Sequence, residues 1–173
     1  MDINNFTIQK LISAYERDIY GNQYTYKLSD GETVSFRIEK EDVPHLMGIR
    51  KLPLRQVQKK SATAVYEMLK KGIIDISHVS PHKESFKKVV NFHHIISILY
   101  CGDTVKVVKR VGRLKSSYLF FLDHSPHEII HLGIVKDPHG VWHPESLLII
   151  QRRHVDAYIK NQLPLNIIDM EIS

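Results

Sequence analysis

Residues 118–151, YLFFLDHSPHEIIHLGIVKDPHGVWHPESLLIIQ, restrict the fold more than any other stretch. They read as three strands joined by short polar turns. In Glu128–Val135 the side chains alternate: Ile130, Leu132 and Ile134 share one side, while Ile129, His131, Gly133 and Val135 share the other. If the first side packs on a core, His131 points away from it, two residues from a glycine. A glycine inside a strand marks a place where another backbone or a ligand comes close, so His131 is expected to line a hollow. Pro144-Glu145-Ser146 reads as a turn that carries Ser146 to the start of a strand Leu147–Gln151. A core histidine and a turn serine are the plainer reading of the same residues.

The rest of the chain supplies what such strands lie against. Phe6, Ile8, Leu11, Ile12, Tyr15 and Ile19 keep helical spacing, predicting a helix over 5–19 capped by Asn4 or Asn5 and stopped at Gly21-Asn22. Asp30-Gly31, flanked by Gln23–Leu28 and Thr33–Glu39, is a hairpin signal. Val34, Phe36 and Ile38 give that hairpin one apolar face, which needs something to cover. Pro44 and Gly48 bracket a short helix with His45 in its first turn, where the helix dipole favours a neutral imidazole. Further helices are predicted over Arg55–Lys71 and, from the Ser80-Pro81 start signal, to about Tyr100. His93 and His94, about 100° apart on that helix, read as structural. Thr104–Arg110 and Lys115–Asp123 read as strands joined by a basic tip at Val111-Gly112-Arg113. A last helix over His154–Gln162 precedes an apolar tail, Leu165, Ile167, Ile168 and Met170, able to dock on the domain. Helices interrupting runs of antiparallel strands predict an α+β fold, with helices packed against an antiparallel β-sheet. The 173 residues are expected to form one domain: helix and hairpin 1–40, a helical basic segment 41–102, a sheet 103–153, and a terminal helix and tail 154–173.

Charge is unevenly placed. Residues 50–115 hold 15 Lys and Arg against 4 Asp and Glu, whereas the remainder holds 9 against 15. Such asymmetry suggests an anionic partner for the middle segment, with solvated helix faces as the alternative. No basic-then-apolar leader opens the chain, and its longest apolar run is too short to cross a bilayer, so a cytosolic protein without membrane contact is expected. Cys101 is the only cysteine, which excludes an intrachain disulfide and a cysteine-based metal knuckle.

Five of the 11 histidines fall between His124 and His143. His124, His127 and His131 have a spacing that zinc sites use, but Ser125-Pro126 is a turn and His131 is mid-strand, so the helical register behind such spacing is missing. No metal and no other cofactor is expected. Histidines on separate elements, with hydroxyls and basic residues, fit another chemistry. RNA is cleaved when its own 2′-hydroxyl attacks the adjacent phosphate, which needs a base, an acid, and donors or cations for the charged phosphorane. An inert polar patch would contain the same residues.

Three segments together carry a resemblance: Val43-Pro44-His45-Leu46-Met47-Gly48-Ile49, Ile130-His131-Leu132-Gly133-Ile134 and Pro144-Glu145-Ser146-Leu147. They resemble the phage-associated nuclease-like domains grouped with barnase, EndoU, the tRNase colicins and RelE (the BECR fold), over about Tyr24 to Arg153. The resemblance implies a metal-independent endoribonuclease whose sheet face holds the active site. It points to His45, His131 and Ser146, with Tyr118 as a weaker candidate. One histidine would be the base and the other the acid, Ser146 and Tyr118 would donate to the phosphate, and Lys109, Arg110, Arg113 and Lys115 would hold the RNA backbone. The partner implied is RNA, such as tRNA or mRNA. A toxin or defence role in phage and mobile elements of bacteria would add an antitoxin or immunity protein. A non-catalytic binding or inhibitor protein with a basic surface, or a zinc hydrolase, would fit the same composition.

Overall fold

The computed structural model describes residues 7–173 apart from 110, 113 and 124; Asn4, Asn5, Arg110, Arg113 and His124, all weighed above, lie outside the described residues. The chain forms two compact units, one of residues 1–21 and 38–93, the other of residues 22–37 and 94–173. The first hairpin falls in the same unit as the C-terminal sheet.

The first unit is helical. Its α1 (Ile8–Asp18) starts at Thr7, whose hydroxyl accepts from the Lys10 N–H at 3.2 Å, and buries Ile8, Leu11, Ile12 and Tyr15. A cap of this kind is worth about 1 kcal/mol. Then come α2 (Val43–Leu46), a 3-10 turn (Ile49–Lys51), α3 (Arg55–Gln58), α4 (Ala62–Lys70), α5 (Ile76–Val79) and α6 (Lys83–Asn91). The helix predicted over Arg55–Lys71 is two helices, because Ser61 accepts from the Ala64 N–H and starts a new one. Likewise, Ser80 ends α5 instead of opening a long helix. Tyr66 of α4 stands edge-on to Tyr15 of α1 at 6.0 Å, and its hydroxyl donates to Glu16. Tyr15 in turn donates to the Ile38 carbonyl at 2.7 Å.

The second unit is α+β, as expected. Its α7 (His94–Cys101) packs on β4 (Tyr118–Asp123) and β5 (Glu128–Lys136). These two strands lie inside a five-stranded antiparallel sheet whose other members are β3 (Asp103–Lys106), β6 (Trp142–Gln151) and β7 (Leu163–Leu165), in the order β6-β5-β4-β3-β7. A second sheet, β2-β1-β8, joins β1 (Tyr24–Leu28), β2 (Thr33–Phe36) and β8 (Ile167–Ile172). The hairpin's apolar face finds its cover here: the Phe120 ring lies 4.7 Å from Tyr26 and 6.2 Å from Phe36. Tyr26 also donates to the Leu99 carbonyl of α7.

Two expectations for the C-terminal half are corrected. Pro144-Glu145-Ser146 is not a turn but lies within β6, where Gly133 pairs with Ser146 and Ile134 with Pro144, leaving Glu145 as a bulge. Proline lacks an N–H, and a bulge on an edge strand is a place where it costs no ladder bond. The predicted helix His154–Gln162 is a 3-10 turn (Arg152–His154) followed by a single π-helical turn (Asp156–Lys160), and the tail then supplies an edge strand to each sheet. Among the described residues, no helix is long and apolar enough to cross a membrane.

Candidate functional site

The β4–β5–β6 register assigns side chains to faces. Tyr118, Phe120, Ile130, Leu132, Ile134 and Leu147 occupy the face toward α7 and the first hairpin, and all are buried. Phe121, His131 and Leu148 pair across the opposite face, as do Leu119, Gly133 and Ser146. The sheet thus brings His131 and Ser146 to one side. Tyr118 points to the other, so the expectation that it joins them at a phosphate is not met.

Tyr118 is 2% exposed and donates to Asp30 at 3.1 Å, while Lys106 pairs with the same carboxylate oxygen at 3.0 Å. Burial, then the Asp30 charge, pushes the Tyr118 hydroxyl up to about 12. Burial alone would raise the Asp30 carboxyl too, but bonds from Lys106, the Glu32 N–H and Tyr118 hold it below its ordinary range. Here a tyrosine, an aspartate and a lysine fix the first hairpin to the five-stranded sheet.

On the opposite face, His131 is fully buried and its ring centroid lies 5.7 Å from that of Tyr158. The expected open hollow is therefore covered, because the residues after β6 fold back over it. Gly133 does mark a close approach, but from within the chain. A β-carbon there would come 2.2 Å from the Ser116 hydroxyl and 2.8 Å from that of Ser146. Ser116 donates to Glu145 at 2.5 Å, and the Lys115 N–H bonds the other oxygen of the same carboxylate. The bulge thus turns Glu145 toward the loop before β4. The Ser146 hydroxyl is buried with no hydrogen-bond partner among the described residues.

The basic tip is placed differently from the prediction. The described residues of 107–117 belong to no strand, where the ends of two strands were expected. Lys109 and Lys115 are exposed there, and the Gln162 amide bonds both the N–H and the carbonyl of Lys109. His45 is exposed on the single-turn α2 of the first unit.

A further constellation lies at the corner where β5 begins and β6 ends. Pro126, His127, Glu128, Gln151, Arg152 and Arg153 line an open groove. Glu128 pairs with Gln151, and the Arg152 N–H donates to the His127 carbonyl at 2.8 Å, which sets the imidazole-bearing residue beside the two arginines. Arg152 is paired with Asp123 and bonds the Ser125 carbonyl, whereas Arg153 makes no ion pair among the described residues. His127, Arg152, Arg153 and His154 are all exposed. Of the four, the sequence singles out only His127, and only for a zinc-like spacing with His124 and His131. A signal was present in the turn: Asp137 accepts from the His139 and Val141 N–H groups, and a hairpin closed there brings 126–128 opposite 151–153. Among the described residues, no group of three or more His, Cys, Asp or Glu is arranged to hold a metal ion.

One comparison identifies a family. The family described as "phage-Barnase-EndoU-ColicinE5/D-RelE like nuclease4" matches residues 7–166 of the chain. No curated protein and no solved structure matches.

Proposed function

Starting from the fact that the chain belongs to this phage-associated nuclease family, we propose that it cleaves RNA without a metal, at the corner groove of the five-stranded sheet. The observation that carries this reading is an exposed imidazole, His127, held in one groove beside Arg152 and an Arg153 with no ion pair among the described residues. A guanidinium offers several donors to a phosphate in fixed geometry and stabilises the charge that builds on a phosphorane. His127 takes the proton of the 2′-hydroxyl as its oxygen attacks phosphorus. His154, at the end of the turn carrying both arginines, gives a proton to the departing 5′-oxygen. The products are a 2′,3′-cyclic phosphate and a 5′-hydroxyl. A toxin or defence role, with an antitoxin or immunity protein as partner, is the biological setting proposed for such an activity.

A second location has its own support. The buried Ser146 hydroxyl lacks a partner among the described residues and shares its sheet face with His131. Were Tyr158 displaced, these two would meet substrate as the sequence resemblance implies.

The deciding experiment is cleavage of RNA and of its 2′-O-methyl analogue, with EDTA present. Cleavage of RNA alone that survives EDTA and disappears in His127→Ala supports the groove. Loss in folded His131→Ala and Ser146→Ala, with His127→Ala active, moves the site to the covered face, and His45→Ala tests the remaining imidazole. Binding without cleavage would leave a non-catalytic binding protein. Loss on adding EDTA would overturn the metal-free mechanism.

A further inference from the structure

Lys88 takes no part in the chemistry above, yet it is a cation buried in the helical unit. It lies on α6, is 8% exposed, and makes no hydrogen bond or ion pair among the described residues. Its setting is built around Gly48, which follows α2 in the left-handed conformation with φ 73°. A β-carbon at Gly48 would stand 3.2 Å from Lys88 Cδ and 3.2 Å from the Ser85 hydroxyl. Ser85, one turn before Lys88, donates to the Gly48 carbonyl at 2.9 Å in a buried bond. Glycine is therefore needed twice, for the backbone angle and for the approach of α6. That approach lays the Lys88 stem over the turn.

The charge at the end of this stem is poorly provided for. Burial, followed by repulsion from Lys51 on the adjoining 3-10 turn, pushes the Lys88 ammonium down to about 8, and Glu84 opposes this only in part. Glu84 forms no ion pair with it. A largely buried cation beside a second cation, with no ion-pair partner among the described residues and only partial compensation from Glu84, costs free energy that a methionine of similar length would not. A multiply charged oxyanion lying between the two ammonium groups would remove that cost.

We infer that Lys88 and Lys51, at the Gly48 turn, form a binding site for a phosphate group of a nucleic-acid strand. The phosphate chemistry follows from the two cations; the strand as its source rests on the nuclease reading. This site lies in the helical unit and uses none of the groove residues.

The test is binding of a short 2′-O-methyl oligoribonucleotide and of inorganic phosphate to wild type, Lys88→Met, Lys88→Arg and Lys51→Ala over a range of salt. Lys88→Met is expected to weaken oligonucleotide binding about 5–10-fold and to flatten the salt slope by about 1. Lys88→Arg restores most of the loss, and exposed Lys51→Ala reproduces part of it with the fold untouched. In a lysine-labelled sample the Lys88 side-chain resonances move with added oligonucleotide. Movement with inorganic phosphate as well shows that a free phosphate group suffices. Folded Lys88→Met that binds with wild-type affinity and slope, with Lys88 resonances unmoved by either ligand, overturns the site. RNA cleavage is followed in parallel. Binding through Lys88 without cleavage defeats the nuclease reading and leaves this site standing, whereas normal cleavage with Lys88-independent binding does the reverse.

Discussion

Strand β5 has one histidine just before it and another inside it, and the two have opposite environments. His127 is exposed at the mouth of a groove with Arg152 and Arg153. His131 is fully buried against Tyr158, on the face where Gly133 makes room for Ser116 and Ser146. With His131 sealed from solvent and His127 open to it, the two rings do not reach one phosphate together in this structure. The contrast teaches that a histidine in a motif-like frame and a histidine in a usable place are different things. Accessibility comes from what the strand's ends and neighbours do, and the frame alone does not report it.

The sharpest way to break this comparison is to remove each ring in turn. Loss of a general acid or base lowers rates by roughly 10²–10⁴-fold, so His127→Ala is expected to lower the RNA cleavage rate by that factor with unchanged melting. His131→Ala is expected instead to lower stability by about 2–4 kcal/mol through the cavity it leaves, with the rate of folded enzyme little altered. Single-turnover cleavage paired with urea melts reads both, and the reverse pattern would exchange the roles of the two histidines.

Arg153 offers the next effect. With no ion pair of its own among the described residues, its removal should cost one phosphate contact and flatten the salt slope of RNA binding by about 0.7–1. A slope equal to wild type would take the backbone out of the groove. The covered face is probed by Gly133→Ala, whose β-carbon would press on Ser116 Oγ, already tied to Glu145. Overpacking of this kind is expected to destabilise by about 1–3 kcal/mol, seen as a fall of roughly 2–12 °C in Tm for a chain of this size. No change in Tm would mean that the two serines are loosely held.

The smallest effect separates the two faces of the sheet. Tyr118→Phe is expected to leave cleavage unchanged and to cost about 1 kcal/mol at neutral pH. The Asp30 carboxyl is held below its ordinary range. Its contribution is therefore present above the unfolded carboxylate pKa and is lost as pH falls through the lower folded value. Without the Tyr118 bond the folded value rises, so the variant should begin to lose stability at a higher pH than wild type during acid titration. The Tyr118 hydroxyl, raised to about 12, acts in the opposite sense: its contribution holds below the unfolded tyrosine pKa and is lost as pH climbs through the folded one. Urea melts across pH check both limbs. A cleavage defect in Tyr118→Phe would return this residue to the site.

Much of the second unit was legible in order of residues alone. Asp30-Gly31 closed the first hairpin, and the alternation of Glu128–Val135 placed His131 and Ile130 on opposite faces, because a strand's side-chain period is strictly two. Glycine at 133 correctly signalled a close approach. Helix lengths were less legible: Ser61 and Ser80 compete locally for backbone N–H groups or end a turn, and periodicity averaged over a longer window hides such breaks. The tail Leu163–Ile172 read as an apolar segment, yet nothing in it says that Tyr26 will face Met170 across a ladder.

By itself the sequence determined the α+β class, the strand faces and, through three short segments, the nuclease family. Tertiary structure alone decided which polar residues meet. It tied Tyr118 to Asp30 on the core side, sealed His131 under Tyr158, set Ser116 and Ser146 over Gly133, and gathered His127 with Arg152 and Arg153 at an open corner. The reason is physical: periodicity is fixed by bond geometry within a few residues, whereas contact and burial depend on registers chosen by the burial of distant apolar side chains.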